Sequence, residues 1–325
     1  MKAWQVHQWC EPEDMLFCDV AMPEPGPRQV RIRNHAAALN FFDVLQIGGK
    51  YQVKPPFPFT PGAEVAGVID AVGSGVEDLT PGMRVAALPL LSAFAEYSIA
   101  AADRTMVIPD AMTFEQAAAM PIVYHTSWFA LDHRARLTEG EWVLVHAGAS
   151  GVGMSAIQLA KARGARVIAT AGSDEKRAFC LKQGADHAIG YSDASWVNQV
   201  KELTAGHGAD VIYDPVGGAV LELSTKCIAP EGRLLVIGFA SGTIPSIAAN
   251  RVLLKNMSLV GVFWGQYVSD KPGYVQQTHT RMCELFNEKK IRPVVGRTLP
   301  LSEAPYALRE LADRKIAGKS VLVIP

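Results

Sequence analysis

The chain has 325 residues, of which 49% are hydrophobic and 19% charged, so it is long enough to bury two cores. Its formal net charge is -1 and no long Lys or Arg run occurs, which argues against nucleic acid or an anionic membrane surface as the main partner. No apolar run approaches the ~20 residues of a transmembrane helix, and the start lacks a signal-peptide pattern, so a cytoplasmic protein with a small-molecule ligand is expected. The five cysteines form no C-x-x-C pair and are expected to be reduced.

The first third of the chain is predicted to be rich in β-strands. Residues 30–33 alternate between apolar and charged side chains, as a half-buried strand should. Further short apolar runs follow at residues 64–72, 84–88 and 93–99, and turns rich in Gly and Pro separate them. A small, irregular, strand-rich domain fits this pattern best.

From residue 113 the pattern changes to alternating helices and strands. Thr113 and Gln116 have the spacing of a capping box, which opens an Ala-rich helical stretch. Six short apolar runs joined by segments of helical length follow, at residues 142–146, 166–170, 187–190, 210–216, 233–239 and 257–263. Such alternation predicts a parallel sheet with helices on both faces. A capped helix starting near Ser302 and a last strand at 320–324 are expected to rejoin the first domain.

A glycine turn between a strand and a helix is the most specific motif. Gly151, Gly153 and Ala156 form G-x-G-x-x-A directly after an apolar strand, and a helix is predicted over residues 155–163. The glycines let the backbone approach a pyrophosphate, while amides near Val152 and the positive end of the helix dipole face the phosphates. A flexible glycine turn is the alternative, but the flanking strand and helix favour a dinucleotide site.

The end of the second strand indicates which dinucleotide is bound. An NAD enzyme usually has Asp or Glu there, about 20 residues after the glycines, to bind the ribose 2′-hydroxyl. This chain has Thr-Ala-Gly-Ser at residues 170–173, and Ser173, Lys176 and Arg177 could donate hydrogen bonds to a 2′-phosphate. Asp174 and Glu175 follow as acidic residues of a helix N-terminus. NADPH is therefore favoured, although a solvated helix position for Lys176 remains the alternative.

Zinc is not predicted from the spacing of the cysteines and histidines. No cysteine pair and no H-x-x-x-H motif matches a zinc module, although distant residues could still converge in the fold.

At this point the motifs resemble those of a known family, the zinc-independent quinone oxidoreductase branch of the medium-chain dehydrogenase/reductase superfamily, which includes zeta-crystallin. The segments that carry the resemblance are 40–43 (NFFD), 49–51 (GKY), 61–67 (PGAEVAG), 72–75 (VGSG), 147–161 and 313–320 (DRKIAGKS). Zinc-dependent relatives have a cysteine where Asn40 stands and a histidine where Ala63 stands. They also have a four-cysteine lobe that this chain lacks, so the resemblance implies no metal.

The resemblance implies an α/β fold with two domains. A Rossmann doubly wound parallel sheet at residues 122–289 would bind the dinucleotide. A β-rich GroES-like domain, made of residues 1–121 and 290–325, would bind the substrate.

The resemblance also implies roles for individual residues around the cofactor. Asn40 and Thr126 would lie near the nicotinamide ribose, and Tyr51 would face the substrate. The residues expected around the 2′-phosphate are Ser173, Lys176, Tyr191 and Arg314. The residues expected to line the nicotinamide are Gly238, Phe239, Phe263 and Trp264.

The proton is expected to come from Tyr51 or from an ordered water, with Asn40 fixing the face of the nicotinamide ring. Tyr51 could instead cap a loop, and Asn40 could be a turn residue. Glu64, Asp43 and His125 are expected to have structural roles.

The function predicted from these features is NADPH-dependent reduction of quinones or related conjugated carbonyl compounds by hydride transfer without zinc. An enoyl-thioester or enone reductase and a zinc-free alcohol dehydrogenase remain open as alternatives. A different class, an NADPH-binding redox sensor without turnover, also remains open. The resemblance further implies a homodimer formed through the edge strand at residues 257–263.

Overall fold

The computed structural model describes residues 1–89, 91–271 and 273–325. The strands are β1 (Lys2–Gln5), β2 (Leu16–Asp19), β3 (Gln29–Ala38), β4 (Val65–Val72), β5 (Arg84–Ala87), β6 (Tyr97–Ala101), β7 (Thr105–Val107), β8 (Trp142–Val145), β9 (Arg166–Thr170), β10 (His187–Ile189), β11 (Ala209–Asp214), β12 (Ile228–Val236), β13 (Ser258–Gly261), β14 (Val295–Pro300) and β15 (Lys319–Val323). The α-helices are α1 (Phe41–Ile47), α2 (Phe114–Ala118), α3 (Pro121–Trp128), α4 (Gly151–Ala162), α5 (Asp174–Lys182), α6 (Trp196–Leu203), α7 (Gly218–Ser224), α8 (Ala249–Lys255), α9 (Trp264–Asp270), α10 (Tyr274–Asn287) and α11 (Ala304–Ala312).

The chain divides into two compact units. The terminal unit comprises Met1–Ile122, Pro272–Cys283 and Pro293–Pro325, and the central unit comprises Val123–Lys271 and Glu284–Arg292. Each unit has its own cluster of buried apolar side chains. Among the described residues, no helix combines the length and the apolar character that crossing a membrane requires.

The terminal unit is built on a mostly antiparallel sheet with the strand order β14-β15-β3-β4-β5-β7, and β6 also pairs with β3. Val30 and Ile32 of β3 are fully buried, while Arg33, the next residue after Ile32, is exposed. This is the alternation predicted from the sequence. The last strand, β15, pairs antiparallel with β3, so the chain end rejoins the first part of the chain as expected.

Glycine at position 67 lets β4 pack closely on β3. The pairing of the two strands shifts register between Asn34 and Ala36, and a Cβ at Gly67 would lie 2.0 Å from the carbonyl oxygen of Arg33. At this irregularity the Asn34 amide donates to the Ala95 carbonyl at 2.8 Å and to Ser98 Oγ at 2.7 Å. These two bonds tie β3 at this irregularity to the segment around β6, on the side opposite β4.

The central unit contains a six-stranded parallel sheet with the order β10-β9-β8-β11-β12-β13. Every residue of β8 is buried, as expected for a strand covered by helices on both faces. The order runs outward from β8 in one direction and from β11 in the other, which places a topological switch point between these two strands. The predicted α/β fold, with a doubly wound parallel sheet in one unit and a β-rich second unit, is confirmed.

Three element boundaries differ from the sequence prediction. The strand expected at 93–99 is β6, which begins at Tyr97, because Ala93 and Phe94 pack into the core of the terminal unit before the ladder with β3 starts. The helix expected near Ser302 begins at Ala304, because residues 301–303 form a 3₁₀ turn and Glu303 at the N-cap makes no side-chain cap bond. The helix expected at 155–163 begins at Gly151.

Candidate functional site

The predicted cofactor residues of the central unit follow the carboxyl ends of the parallel strands. Those ends lie along one edge of the sheet, where ligands of open α/β sheets bind. The segments that follow them are Gly151, Val152 and Gly153 after β8, Ser173 after β9, Tyr191 after β10, Gly238 and Phe239 after β12, and Phe263 and Trp264 after β13. The sheet therefore brings these predicted residues to one edge.

The glycine turn after β8 leads directly into α4. Ser150 is the N-cap, and its hydroxyl accepts a hydrogen bond from the Gly153 amide at 3.1 Å. A Cβ at Gly153 would lie 2.3 Å from the carbonyl oxygen of Ala147, so only glycine permits this close packing. The amides of Gly151 and Val152 have no intrahelical acceptor and stand at the positive end of a 12-residue helix. This geometry fits a bound pyrophosphate.

Hydroxyl groups fix the helix that carries Thr126 to the start of α4. Ser127 Oγ lies 2.8 Å from Ser155 Oγ and 2.9 Å from the Tyr213 hydroxyl, and all three side chains are buried. Thr126 itself is half-buried, and a π-helical segment, Phe129–Arg134, follows directly. Such segments are frequent at functional sites. Sequence reasoning missed these hydroxyls, since nothing in their spacing pairs them.

The loop after β9 carries no carboxylate at the strand end. Ser173 is the exposed N-cap of α5, and its hydroxyl accepts from the Lys176 amide at 3.3 Å, which leaves the hydroxyl hydrogen to donate. The carboxylate of Asp174 forms an ion pair with Arg177, which offsets its negative charge. This arrangement is compatible with an added phosphate near Ser173.

A neutral histidine supports the ends of β8 and β9. His146 is fully buried, with Nδ1 at 3.0 Å from Thr170 Oγ1 and Nε2 at 2.9 Å from Ser224 Oγ. Because Ser224 donates its own hydrogen to the Val220 carbonyl, Nε2 carries the proton and Nδ1 accepts. Burial lowers the pKa of His146 to about 3, so the ring stays uncharged.

Aromatic residues follow β13. Phe263 is 59% exposed, whereas Trp264 is buried, and its indole N–H has no acceptor in the part of the chain that the structure describes. The Trp264 ring meets the His125 ring edge-on at 5.7 Å between centroids. A buried donor of this kind can be satisfied by a bound molecule or a water.

In the terminal unit, Asn40 is the N-cap of α1 and is buried. Its backbone N–H donates to Asp43 Oδ2 at 2.7 Å, so the structural role expected for Asp43 is that of a local cap. Its side-chain Nδ2 donates to Glu64 Oε1 at 2.9 Å, and its Oδ1 accepts from Lys319 Nζ at 2.8 Å. The structural role expected for Glu64 thus includes a charged partner, Lys319, that sequence reasoning missed.

Tyr51 lies in the loop after α1 and packs against Phe42, with 5.3 Å between ring centroids. Burial, and then the negative charge of Asp43, raise the pKa of Tyr51, so its hydroxyl keeps its proton at neutral pH. Arg314, exposed and with a left-handed φ of 57°, also belongs to the terminal unit. The predicted site residues are therefore divided between the two units.

The positions that hold zinc in zinc-dependent relatives do not fit a metal ion here. Ala63 offers only a methyl group, and the ammonium of Lys319 already binds the oxygen of Asn40, where it would repel a cation. In residues 1–89, 91–271 and 273–325, no group of three or more His, Cys, Asp or Glu side chains is arranged to bind a metal.

Comparison with known proteins agrees with this architecture. The family model described as alcohol dehydrogenase GroES-like domain matches residues 26–110, and the model described as zinc-binding dehydrogenase matches residues 151–280. The quinone oxidoreductase of Pseudomonas aeruginosa is 37% identical over 314 residues, which cover 96% of each chain. The chain belongs to the quinone oxidoreductase branch of the medium-chain dehydrogenase/reductase superfamily.

Two further members of this branch extend the comparison. Quinone oxidoreductase-like protein 2 of Bos taurus is 37% identical over 309 residues, covering 94% of this chain and 88% of the relative. The crystal structure of the Escherichia coli quinone oxidoreductase complexed with NADPH is similar with a TM-score of 0.92 and 29% identity, covering 99% of this chain and 100% of the other. The resemblance inferred from the sequence motifs is confirmed.

Asp214, at the end of β11, shapes the turn beside the switch point. Its Oδ1 accepts the amides of Val216 at 2.6 Å and Gly217 at 3.0 Å, while the buried Oδ2 has no partner within the described residues. Burial outweighs these two bonds and raises the pKa of Asp214 from 3.8 to about 6. The folded protein therefore holds this proton more tightly than the unfolded chain does.

Asp214 should make stability depend on pH. Its favourable contribution is complete below about pH 4 and is lost as the pH rises through about 6. Asp214→Asn keeps an oxygen for the two amides but cannot titrate. In urea unfolding, the free energy of unfolding of the variant relative to that of the wild type should rise by about 2–3 kcal/mol between pH 4 and pH 8. Parallel pH curves for the two proteins would contradict the assignment.

Proposed function

We propose that the protein is an NADPH-dependent oxidoreductase that reduces quinones or related conjugated carbonyl compounds without zinc. The observation that carries the proposal is the glycine turn at Gly151 and Gly153, which presents helix amides at the carboxyl edge of the parallel sheet beside its switch point. The family membership and the NADPH complex of the Escherichia coli relative support it.

Within this proposal, residues 122–289 form the dinucleotide-binding domain, and residues 1–121 and 290–325 form the substrate domain, which also contributes Asn40 and Arg314 to cofactor binding. Backbone amides at 151–153 bind the pyrophosphate. Ser173, Lys176, Tyr191 and Arg314 bind the 2′-phosphate, while Asn40 and Thr126 orient the nicotinamide ribose. The residues proposed to line the nicotinamide are Gly238, Phe239, Phe263 and Trp264.

Bound NADPH supplies a hydride equivalent, and the chain supplies position and a proton. The Tyr51 hydroxyl, which stays protonated, donates to the carbonyl oxygen of the substrate as negative charge develops there. The hydride and one proton are thereby added to the acceptor, and solvent restores the proton of Tyr51.

The proposal predicts turnover that survives exhaustive chelation. Oxidation of NADPH and NADH should be followed with ortho- and para-quinones, enals and enoyl thioesters as acceptors. The reverse direction, reduction of NADP⁺ and NAD⁺, should be followed with simple alcohols. NADPH-preferring turnover with quinones is expected. Turnover only with enoyl thioesters or alcohols would identify the other reductase classes instead, and NADPH binding without turnover on any acceptor would support the redox-sensor class.

The proposed 2′-phosphate site predicts cofactor selectivity. Lys176→Ala and Arg314→Ala together should raise the KM for NADPH at least about tenfold more than the KM for NADH, because charge-assisted bonds to a phosphate are worth about 1.5–3 kcal/mol each. Lys182→Ala, on the exposed last turn of the same helix α5, is the matched control and should change neither value. Equal losses for both cofactors in the double variant would refute the assignment.

We also propose a homodimer formed along β13. This strand is at the edge of the parallel sheet, and three leucines around it, Leu253, Leu254 and Leu259, are 74%, 78% and 48% exposed. Exposed apolar surface beside an unpaired strand edge favours pairing with a second copy. Light scattering should give twice the mass of the 35.0 kDa chain, and Leu259→Asp should give the monomer. A monomeric wild type would exclude this interface.

A further inference from the structure

A buried ion pair in the terminal unit holds the side chain of Asn40. We propose that Lys319 and Glu64 are positioning residues that fix the Asn40 amide in the one orientation that suits the nicotinamide half of the cofactor. The inference rests on the proposed function, in which Asn40 orients the nicotinamide ribose. It adds two residues that touch neither the cofactor nor the substrate.

All hydrogen-bond donors of Lys319 are used inside the protein. Its ammonium donates to the Leu39 carbonyl at 2.7 Å, to Asn40 Oδ1 at 2.8 Å and to Glu64 Oε1 at 2.7 Å. A lysine ammonium has three donors, so none is left for a ligand phosphate. The side chains of Lys319 and Glu64 are 3% and 0% exposed, which keeps solvent away from the pair.

The ion pair distinguishes the two ends of the Asn40 amide. Lys319 requires an acceptor and faces Oδ1, whereas the Glu64 carboxylate requires a donor and faces Nδ2. A 180° flip of the amide would place N–H beside the ammonium and oxygen beside the carboxylate. Both contacts would be repulsive in a buried environment, where charge interactions are strong.

The fixed amide keeps bonding capacity for a ligand. An asparagine side chain has two N–H donors and two acceptor lone pairs, and the ion pair uses one of each. The Asn40 side chain also accepts the Asp43 backbone N–H in the capping box of α1, whereas its second N–H has no partner among the described residues and points in a direction set by Lys319 and Glu64. This N–H is the group that could donate to a ribose hydroxyl or to a carboxamide oxygen.

The same carboxylate also ties Asn40 to a helix start. Glu64 Oε2 accepts the Ile122 amide at 2.8 Å, in the first turn of α3. The hydrogen bonds of Asn40, Glu64 and Lys319 thus join the start of α1, the segment before β4, the start of α3 and β15. Burying two charges costs desolvation energy, and an apolar pair often stabilises a fold as well. The contacts of this ion pair with a polar amide therefore assign it to orientation of the amide rather than to stability.

The test compares two ligands that differ in the nicotinamide half. Calorimetry measures the Kd of NADPH and of adenosine 2′,5′-bisphosphate for wild type, Asn40→Ala, Lys319→Met and the double variant. Lys319→Met should weaken NADPH about tenfold, or 1.4 kcal/mol, and leave adenosine 2′,5′-bisphosphate unchanged. In the Asn40→Ala background the Lys319→Met substitution should cause no further loss, because it acts through Asn40.

A buried amide elsewhere in the terminal unit provides the matched control. Asn34→Ala removes hydrogen bonds to the Ala95 carbonyl and Ser98 Oγ, so it should lower the Tm but leave both Kd values unchanged. Should Lys319→Met fail to fold, Lys319→Met combined with Glu64→Gln removes both charges, leaves an amide able to satisfy Ile122, and allows Asn40 to flip. This variant should reproduce the selective loss of NADPH affinity.

Three results would overturn the inference while leaving the proposed function intact. They are unchanged NADPH affinity in folded Lys319 variants, equal losses for both ligands, and a full additional loss in the Asn40→Ala background. A wild type that binds adenosine 2′,5′-bisphosphate and NADPH but reduces no quinone would instead reject the proposed function. A wild type that binds neither ligand would reject both.

Discussion

The close packing of α4 against the end of β8 is the constraint on which the site in the central unit depends. With 2.3 Å between a Cβ at residue 153 and the Ala147 oxygen, any side chain there would force the helix away from the sheet. Glycine keeps the first amides of α4 at the sheet edge, where the loops after the neighbouring strands also emerge. The buried hydroxyls of Ser127, Ser155 and Tyr213 then hold α3 against the same helix. A steric requirement at Gly153 thus places the first amides of α4, and a separate set of hydrogen bonds supports the helix from behind.

Buried titratable groups have different surroundings in the two units: isolated groups with shifted pKa values in the central unit, and an ion pair in the terminal unit. In the central unit burial disfavours the charged forms of the titratable groups at the strand ends: it lowers the pKa of His146 to about 3, which keeps the ring neutral, and raises that of Asp214 to about 6. In the terminal unit a full ion pair, Lys319 with Glu64, is buried beside Asn40. An ion pair suits a position where a neutral amide must be oriented.

The sequence predicted the features that arise from local spacing. The parallel sheet, the glycine turn and the capping box at Thr113 depend on residues close together in the chain, and all are found in the structure. The Lys319–Glu64 pair joins residues 255 positions apart, and no periodicity in either segment predicts it. The helix start at Ser302 was predicted wrongly because a cap residue is compatible with both an α-helix and the 3₁₀ turn that forms. Polar pairs between residues distant in the chain, and the choice between a 3₁₀ turn and an α-helix, therefore could not be predicted from patterns of neighbouring residues.

The replacement of metal ligands by Asn40 and Ala63 also bears on the substrate class. A zinc ion polarises a simple carbonyl strongly, whereas a neutral tyrosine in the role proposed for Tyr51 would polarise it only through a hydrogen bond. An isolated ketone would then remain a poor hydride acceptor. A quinone or an enone spreads the incoming charge over a conjugated system and needs less help at oxygen. With the roles proposed for Tyr51 and for the ammonium-bound Asn40, conjugated acceptors are favoured, since such a substrate meets the electronic demand itself and the protein supplies orientation.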